Sequence, residues 1–200
     1  MKHLLPLLLS LLTALPALAT DDELLDRIEQ SRPAAFTSRV VHTKPGRKNF
    51  PVENGIICFT APGSFAMRFD NGHCLVFHEN WIYNITERGT LNFSVEKGPF
   101  NKFMKTLLWT LAGRHRAVAE FQNGTLDVRD QGDRHSVSLT TRNRLTSGYK
   151  NITVCYRKSD LVPVELSVTD FLGRIDHYRI ADYQAGVQGA PAVFEIPKKQ

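Results

Sequence analysis

The side chains with the widest chemical reach in this chain are Cys58, Cys74, His73 and His78. Thiolates and imidazoles are good zinc ligands, and a Cys–His pair can serve as nucleophile and base. The spacing argues against both. His73 and Cys74 are adjacent on a predicted strand, so they point to opposite faces and do not converge. No nucleophile elbow or oxyanion loop accompanies them. Asp170 and Asp176 suggest a carboxylate pair. However, Asp170 begins the turn Asp170-Phe171-Leu172-Gly173, and Asp176 is expected to face solvent on the next strand. The chain therefore reads as a binding protein, not an enzyme, with no metal and no cofactor. The third cysteine is Cys155. An odd count excludes a complete disulfide framework. One bridge, Cys58 to Cys74 across the same hairpin, and three buried free thiols are equal alternatives.

The apolar residues carry more. Gly55 to Phe69 reads as two strands joined at Pro62-Gly63. Ile57 and Phe59, then Phe65, Met67 and Phe69, recur at every second position and share one face of a sheet. Such a face is either ordinary core or the wall of a cavity for a lipid tail. Trp81, Leu166 and Val168 are candidate members of the same wall. A second apolar surface lies on the segment Phe100 to Ala112, whose period is helical and which Gly113 can cap. Phe100, Phe103, Met104, Leu107, Leu108 and Leu111 form a wide stripe along it. A helix this apolar needs a surface to cover. The open face of a curved sheet is the nearest candidate, and a lined space between the two would hold an acyl chain by apolar contact alone.

The elements that position these residues are mostly strands. Asp21 to Arg32 predicts a short helix, acidic at its start, with Leu24, Leu25 and Ile28 as its stripe. Strands are predicted at Phe36–Thr43, Gly55–Thr60, Ser64–Asp70, His73–His78 and Trp81–Thr86. Further strands are predicted at Val118–Gln122, Thr125–Asp130, Arg134–Thr141, Asn151–Arg157, Val162–Asp170, Arg174–Tyr183 and Val193–Ile196. Asn71-Gly72 and Asn123-Gly124 supply hairpin turns. About eleven short antiparallel strands at regular spacing predict a mainly β, α+β fold built as a barrel or strongly curved sheet.

The 200 residues suit one domain. Leu4 to Leu18 is apolar but interrupted, and Ala17-Leu18-Ala19 fits a small-x-small cleavage site. Residues 1–19 are expected to be a cleaved signal peptide, and 20–200 a single exported domain. Lys2 is the one charged residue of that segment, so the net charge falls from +5 to +4 on its removal. No cysteine follows the site, so lipidation of this chain is not expected. The basic residues are scattered and carry no nucleic-acid motif.

Taken in order, several segments resemble the periplasmic lipoprotein carriers of the LolA type. These are Gly55-x-Ile57-x-Phe59-x-x-Pro62, Phe65-x-Met67-x-Phe69, Leu75-Val76 with Trp81-Ile82-Tyr83-Asn84, and Gly98-Pro99-Phe100 leading into the apolar helix. Val168-x-Asp170-x-x-Gly173, Tyr178-x-Ile180 and Phe194-x-Ile196-Pro197 complete the series. The resemblance implies an unclosed antiparallel β-barrel, with an N-terminal helix and a lid helix over an apolar cavity. It implies a monomeric carrier that takes acylated lipoproteins from an inner-membrane release complex to an outer-membrane acceptor. A lipid- or ligand-sensing module of the same fold is the alternative. There are departures. Ala61 stands where the best-known carriers place a basic lid tether, with Arg68 on the facing strand as a substitute. His78-Glu79-Asn80 replaces an Asp-Gly turn.

Overall fold

The computed structural model describes residues 21–61, 63–78, 80–94, 99–142, 148–186 and 194, and for 99–101 the backbone alone. The expected signal peptide, Pro62 and the strand expected at Val193–Ile196 (apart from Phe194) lie outside them.

Eleven strands form one antiparallel sheet. They are β1 (Ala35–Thr43), β2 (Glu53–Thr60), β3 (Ser64–Phe69), β4 (Cys74–His78), β5 (Trp81–Thr86), β6 (Gly89–Ser94), β7 (Thr125–Gln131), β8 (Arg134–Thr140), β9 (Asn151–Arg157), β10 (Pro163–Thr169) and β11 (Ile175–Ala185). The spatial order is β6-β5-β4-β3-β2-β1-β11-β10-β9-β8-β7. The edges β6 and β7 do not pair with each other, so the curved sheet stays unclosed. Between them the chain runs through α2 (Pro99–Leu111) and α3 (His115–Gln122), so these helices bridge from one edge to the other. An N-terminal helix, α1 (Asp21–Gln30), packs beside α3. No helix among the described residues is long and apolar enough to cross a membrane.

Register follows the period-two pattern. Ile57 pairs with Met67, Phe59 with Phe65 and Gly55 with Phe69. Gly55 is required there, because an added Cβ would sit 2.1 Å from the Arg68 carbonyl oxygen. β3 continues the face into β4 through Phe65–Phe77 and Met67–Leu75. The same face runs through Val40 and Ile180 in β1 and β11, and then through Leu166, Val154 and Val137.

Two elements differ from the sequence reading. Val118–Gln122 is helical, not a strand. His115, Val118 and Gln122 are its buried residues, spaced at helical intervals. Asn123 adopts φ 48° as the left-handed C-cap of α3, in place of a hairpin turn. The edge strand β6 was not expected, and its mostly exposed side chains offer little alternation to read.

Candidate functional site

The concave face and the helices meet in one apolar cluster. Ile57, Phe59, Phe65, Met67 and Leu166 are buried in it, with Met104, Leu107, Leu108 and Leu111 of α2. Phe69, Val168 and Phe103 are half-buried and pack against the same cluster. Phe103 also sets its ring 5.8 Å from that of Tyr149. The side chain of Phe100 lies outside the described residues. Wall and helix thus belong to one apolar cluster.

Trp81 departs from the expectation. It pairs with His78, while its neighbour Ile82 pairs with Phe77 of the inner face. Alternation therefore turns Trp81 outward, where it is 42% exposed. Ala61 donates its backbone N–H to the Ala34 carbonyl and carries no tether. Arg68 pairs with Ile56 and Cys74 on the outer face, away from α2.

The cysteines are free. Cys58 lies on β2 and Cys74 on β4, with β3 between them, so the strand order separates the expected bridge partners. Burial pushes the Cys58 thiol up to about 11 and raises that of Cys74, which leaves little thiolate for chemistry. The neighbouring histidines are engaged separately. His73 Nδ1 is 2.8 Å from Glu53, and His78 Nδ1 is 3.0 Å from Ser64.

A polar cluster that the sequence did not reveal closes one end of the interior. His42 Nδ1 lies 2.7 Å from Glu53 Oε2 and its Nε2 lies 2.8 Å from Asp176 Oδ1. Asn71 donates to Glu53 Oε1 at 2.6 Å, and Lys44 Nζ reaches Asp176 at 2.9 Å. The imidazole stacks on Tyr178 at 4.4 Å. Burial would raise the Glu53 carboxyl, but hydrogen bonds from Asn71, His42 and His73 outweigh it and hold the group below its usual range. Asp176 is likewise opposed by burial and held down by His42 and Lys44. Asp176 was expected to face solvent; instead it turns toward His42. Beside it, a surface cavity of ≈ 380 Å³ is lined by Lys44, Arg47, Asp170, Arg174 and Asp176 among others. Its charges largely pair with one another, as Lys44 with Asp176 and Arg174 with Asp170, so it is not an apolar site.

At the other end, ten residues before His42 and just ahead of β1, sits Arg32. Its Nη2 donates to the Leu161 carbonyl and to Ser31 Oγ. The guanidinium lies 5.3 Å from the ring centre of Tyr156 and 5.9 Å from that of Tyr183. The Tyr156 hydroxyl is 2.7 Å from His115 Nε2. Burial, and then the Arg32 charge, push His115 down to about 4, so it is neutral near pH 7. Gly113, at the turn from α2 to α3, packs here with φ +74°, and a Cβ on it would lie 2.7 Å from Arg32 Cγ. Arg32 therefore touches α1, the α2–α3 turn and the β9–β10 loop together.

No protein-family model matches this chain, and no curated protein does. Solved structures do. An uncharacterized conserved protein from Thermus thermophilus superposes with a TM-score of 0.51 at 11% identity, covering 88% of this chain and 94% of that one. At that score the two share the overall fold. A LolA superfamily protein from Nitrosomonas europaea gives 0.44 at 8% identity, covering 89% and 98% of the two chains. The Pseudomonas aeruginosa MucA/MucB complex gives 0.48 at 10% identity, covering 86% of this chain and 59% of that one. The unclosed antiparallel sheet with helices bridging its edges is the architecture the sequence resemblance implied.

Proposed function

We propose that this protein is a periplasmic carrier that binds the acyl chains of lipoproteins and moves them from an inner-membrane release complex to an outer-membrane acceptor. It is exported by cleavage after residue 19, acts as a monomer over residues 20–200, and performs no covalent chemistry. Ile57, Phe59, Phe65, Met67, Phe69, Leu166 and Val168 form the wall in this reading. Phe100, Phe103, Met104, Leu107, Leu108 and Leu111 form the cover. The observation that carries it is the single apolar cluster shared by the concave sheet and α2.

The energetics suit exchange of a helix for a lipid tail. Lifting Met104, Leu107, Leu108 and Leu111 off the wall costs about 1.5–3 kcal/mol each, or roughly 6–12 kcal/mol together. An acyl tail of about 15 methylenes regains about 12 kcal/mol at ~0.8 kcal/mol per CH₂. Measured from water, one long tail is enough to offset the lost helix contacts.

Two measurements test the proposal. The mature chain, purified from its host, is extracted and its lipids identified by mass spectrometry; acylated ligand is expected. Depletion of the protein is expected to strand lipoproteins at the inner membrane. A folded protein that neither retains nor accepts an acylated ligand refutes acyl binding. Normal lipoprotein sorting on depletion, with lipid still bound, refutes the carrier role and favours the sensing module.

A further inference from the structure

Arg32 presents an imbalance that its structural contacts do not resolve. Its guanidinium stays charged at any working pH. The Nε and Nη1 groups are buried with no hydrogen-bond partner among the described residues. The acceptors it does have, the Leu161 carbonyl and the Ser31 hydroxyl, carry no charge. The rings of Tyr156 and Tyr183 hold the plate in place, but aromatic faces do not accept at the guanidinium edge as an anion does. The Tyr183 hydroxyl is a second buried group without a hydrogen-bond partner among the described residues. A latch between α1 and the β9–β10 loop needs the bond to Leu161 and nothing more. It does not require further donors to be taken out of water, which is costly when they stay unmade.

The surroundings give these donors a direction. Tyr183 stacks on Phe36 at 5.0 Å, and Phe36 stacks on Phe59 at 5.6 Å. Phe59 pairs in register with Phe65. A continuous run of rings therefore leads from the guanidinium to the middle of the apolar wall. A cation at the end of an apolar track matches a molecule with a negative head and a long tail.

We propose that Arg32, helped by the Tyr183 hydroxyl, is an anion anchor that receives the carboxylate or phosphate of an acyl lipid whose tail lies along Phe36, Phe59 and Phe65. This rests on the acyl-binding reading above and narrows it to ligands with an anionic head. The neutral state of His115 leaves the Arg32 charge without a rival cation beside it.

The test is displacement of a fluorescent fatty-acid probe from the mature protein by palmitate, palmitoyl lysophosphatidate and methyl palmitate. The two anionic lipids are expected to compete roughly tenfold more strongly than the ester, the worth of a charge-assisted hydrogen bond. Arg32→Met keeps the aliphatic stem; it is expected to abolish that preference and leave the affinity for the ester unchanged. Preference for palmitate alone identifies a free fatty acid, and preference for the lysophosphatidate alone a phospholipid head. Equal competition by all three lipids in the native protein overturns the anchor while sparing acyl binding. So does an R32M variant that weakens acid and ester alike. If none of the three binds, acyl binding and the anchor fall together. Should R32M not fold, the comparison of acid with ester on the native protein decides the matter alone.

Discussion

Glu53→Gln changes one atom type in a buried cluster and should be costly. The Glu53 carboxylate accepts from His42, Asn71 and His73 at 2.7, 2.6 and 2.8 Å. A glutamine keeps the shape but presents an amide N–H₂ where an acceptor is needed. It also removes the charge that faces His42. Removing the charged partner from a buried, hydrogen-bonded cluster costs about 3–5 kcal/mol. In a chain of this size each kcal/mol moves Tm by roughly 2–4 °C, so a fall of about 6–20 °C is expected at pH 7. The pH dependence adds a second signature. The folded values of Glu53 and Asp176 lie below their ordinary values of 4.5 and 3.8. Their stabilisation is therefore complete above about pH 4.5 and is lost as pH falls through the folded values. Urea unfolding followed by circular dichroism from pH 7 down to pH 3 should show the gap between native and E53Q proteins narrowing below about pH 4.5. A gap under about 1 kcal/mol at pH 7 would falsify the view that this cluster is a satisfied buried network, since that is the size of an exposed pair. A gap that stays constant on acidification would refute the ionisation argument.

Three further outcomes are expected. Phe65→Ala empties a fully buried site at the centre of the wall and should cost about 3–5 kcal/mol in denaturant unfolding; a loss below 1 kcal/mol would mean the wall is not tightly packed. Gly55→Ala forces a Cβ onto the Arg68 carbonyl at 2.1 Å; it should lower Tm by several degrees, and an unchanged Tm would show that β2 and β3 separate freely. Cys58, with its thiol held up to about 11, should resist a thiol reagent at pH 8 in the folded protein and react once unfolded; rapid native labelling would contradict its burial.

The strands around the site were legible because Phe36–Thr43, Ser64–Phe69 and Asn151–Arg157 alternate cleanly. The stripe on α2 was legible for the corresponding reason at period 3.6. Residues 118–122 were misread because five residues are too few to separate the two periods. The helical signal needed His115, three residues before Val118. Trp81 was misread because face assignment across a turn depends on its length. The turn after His78 sets Ile82, not Trp81, opposite Phe77. The end clusters were beyond reach for another reason. His42 and Asp176 are 134 positions apart, and Arg32 and Leu161 are 129 apart. They meet only through the pairing of β1 with β11, which no local pattern announces. The free cysteines follow from strand order as well, since β3 separates Cys58 from Cys74.

The strand order has a consequence for how the molecule comes into being. The first and last strands lie side by side in the middle of the sheet, and the edges come from mid-chain. The sheet is two stacks of hairpins, β1–β6 and β7–β11, zipped along one seam and bridged by α2 and α3. Each stack can assemble from neighbours in sequence. The seam waits until β11 has been delivered as far as Ala185. Until then both stacks present their apolar faces without an opposite wall, and such half-sheets need shielding from one another. The apolar interior between the two stacks is therefore completed last.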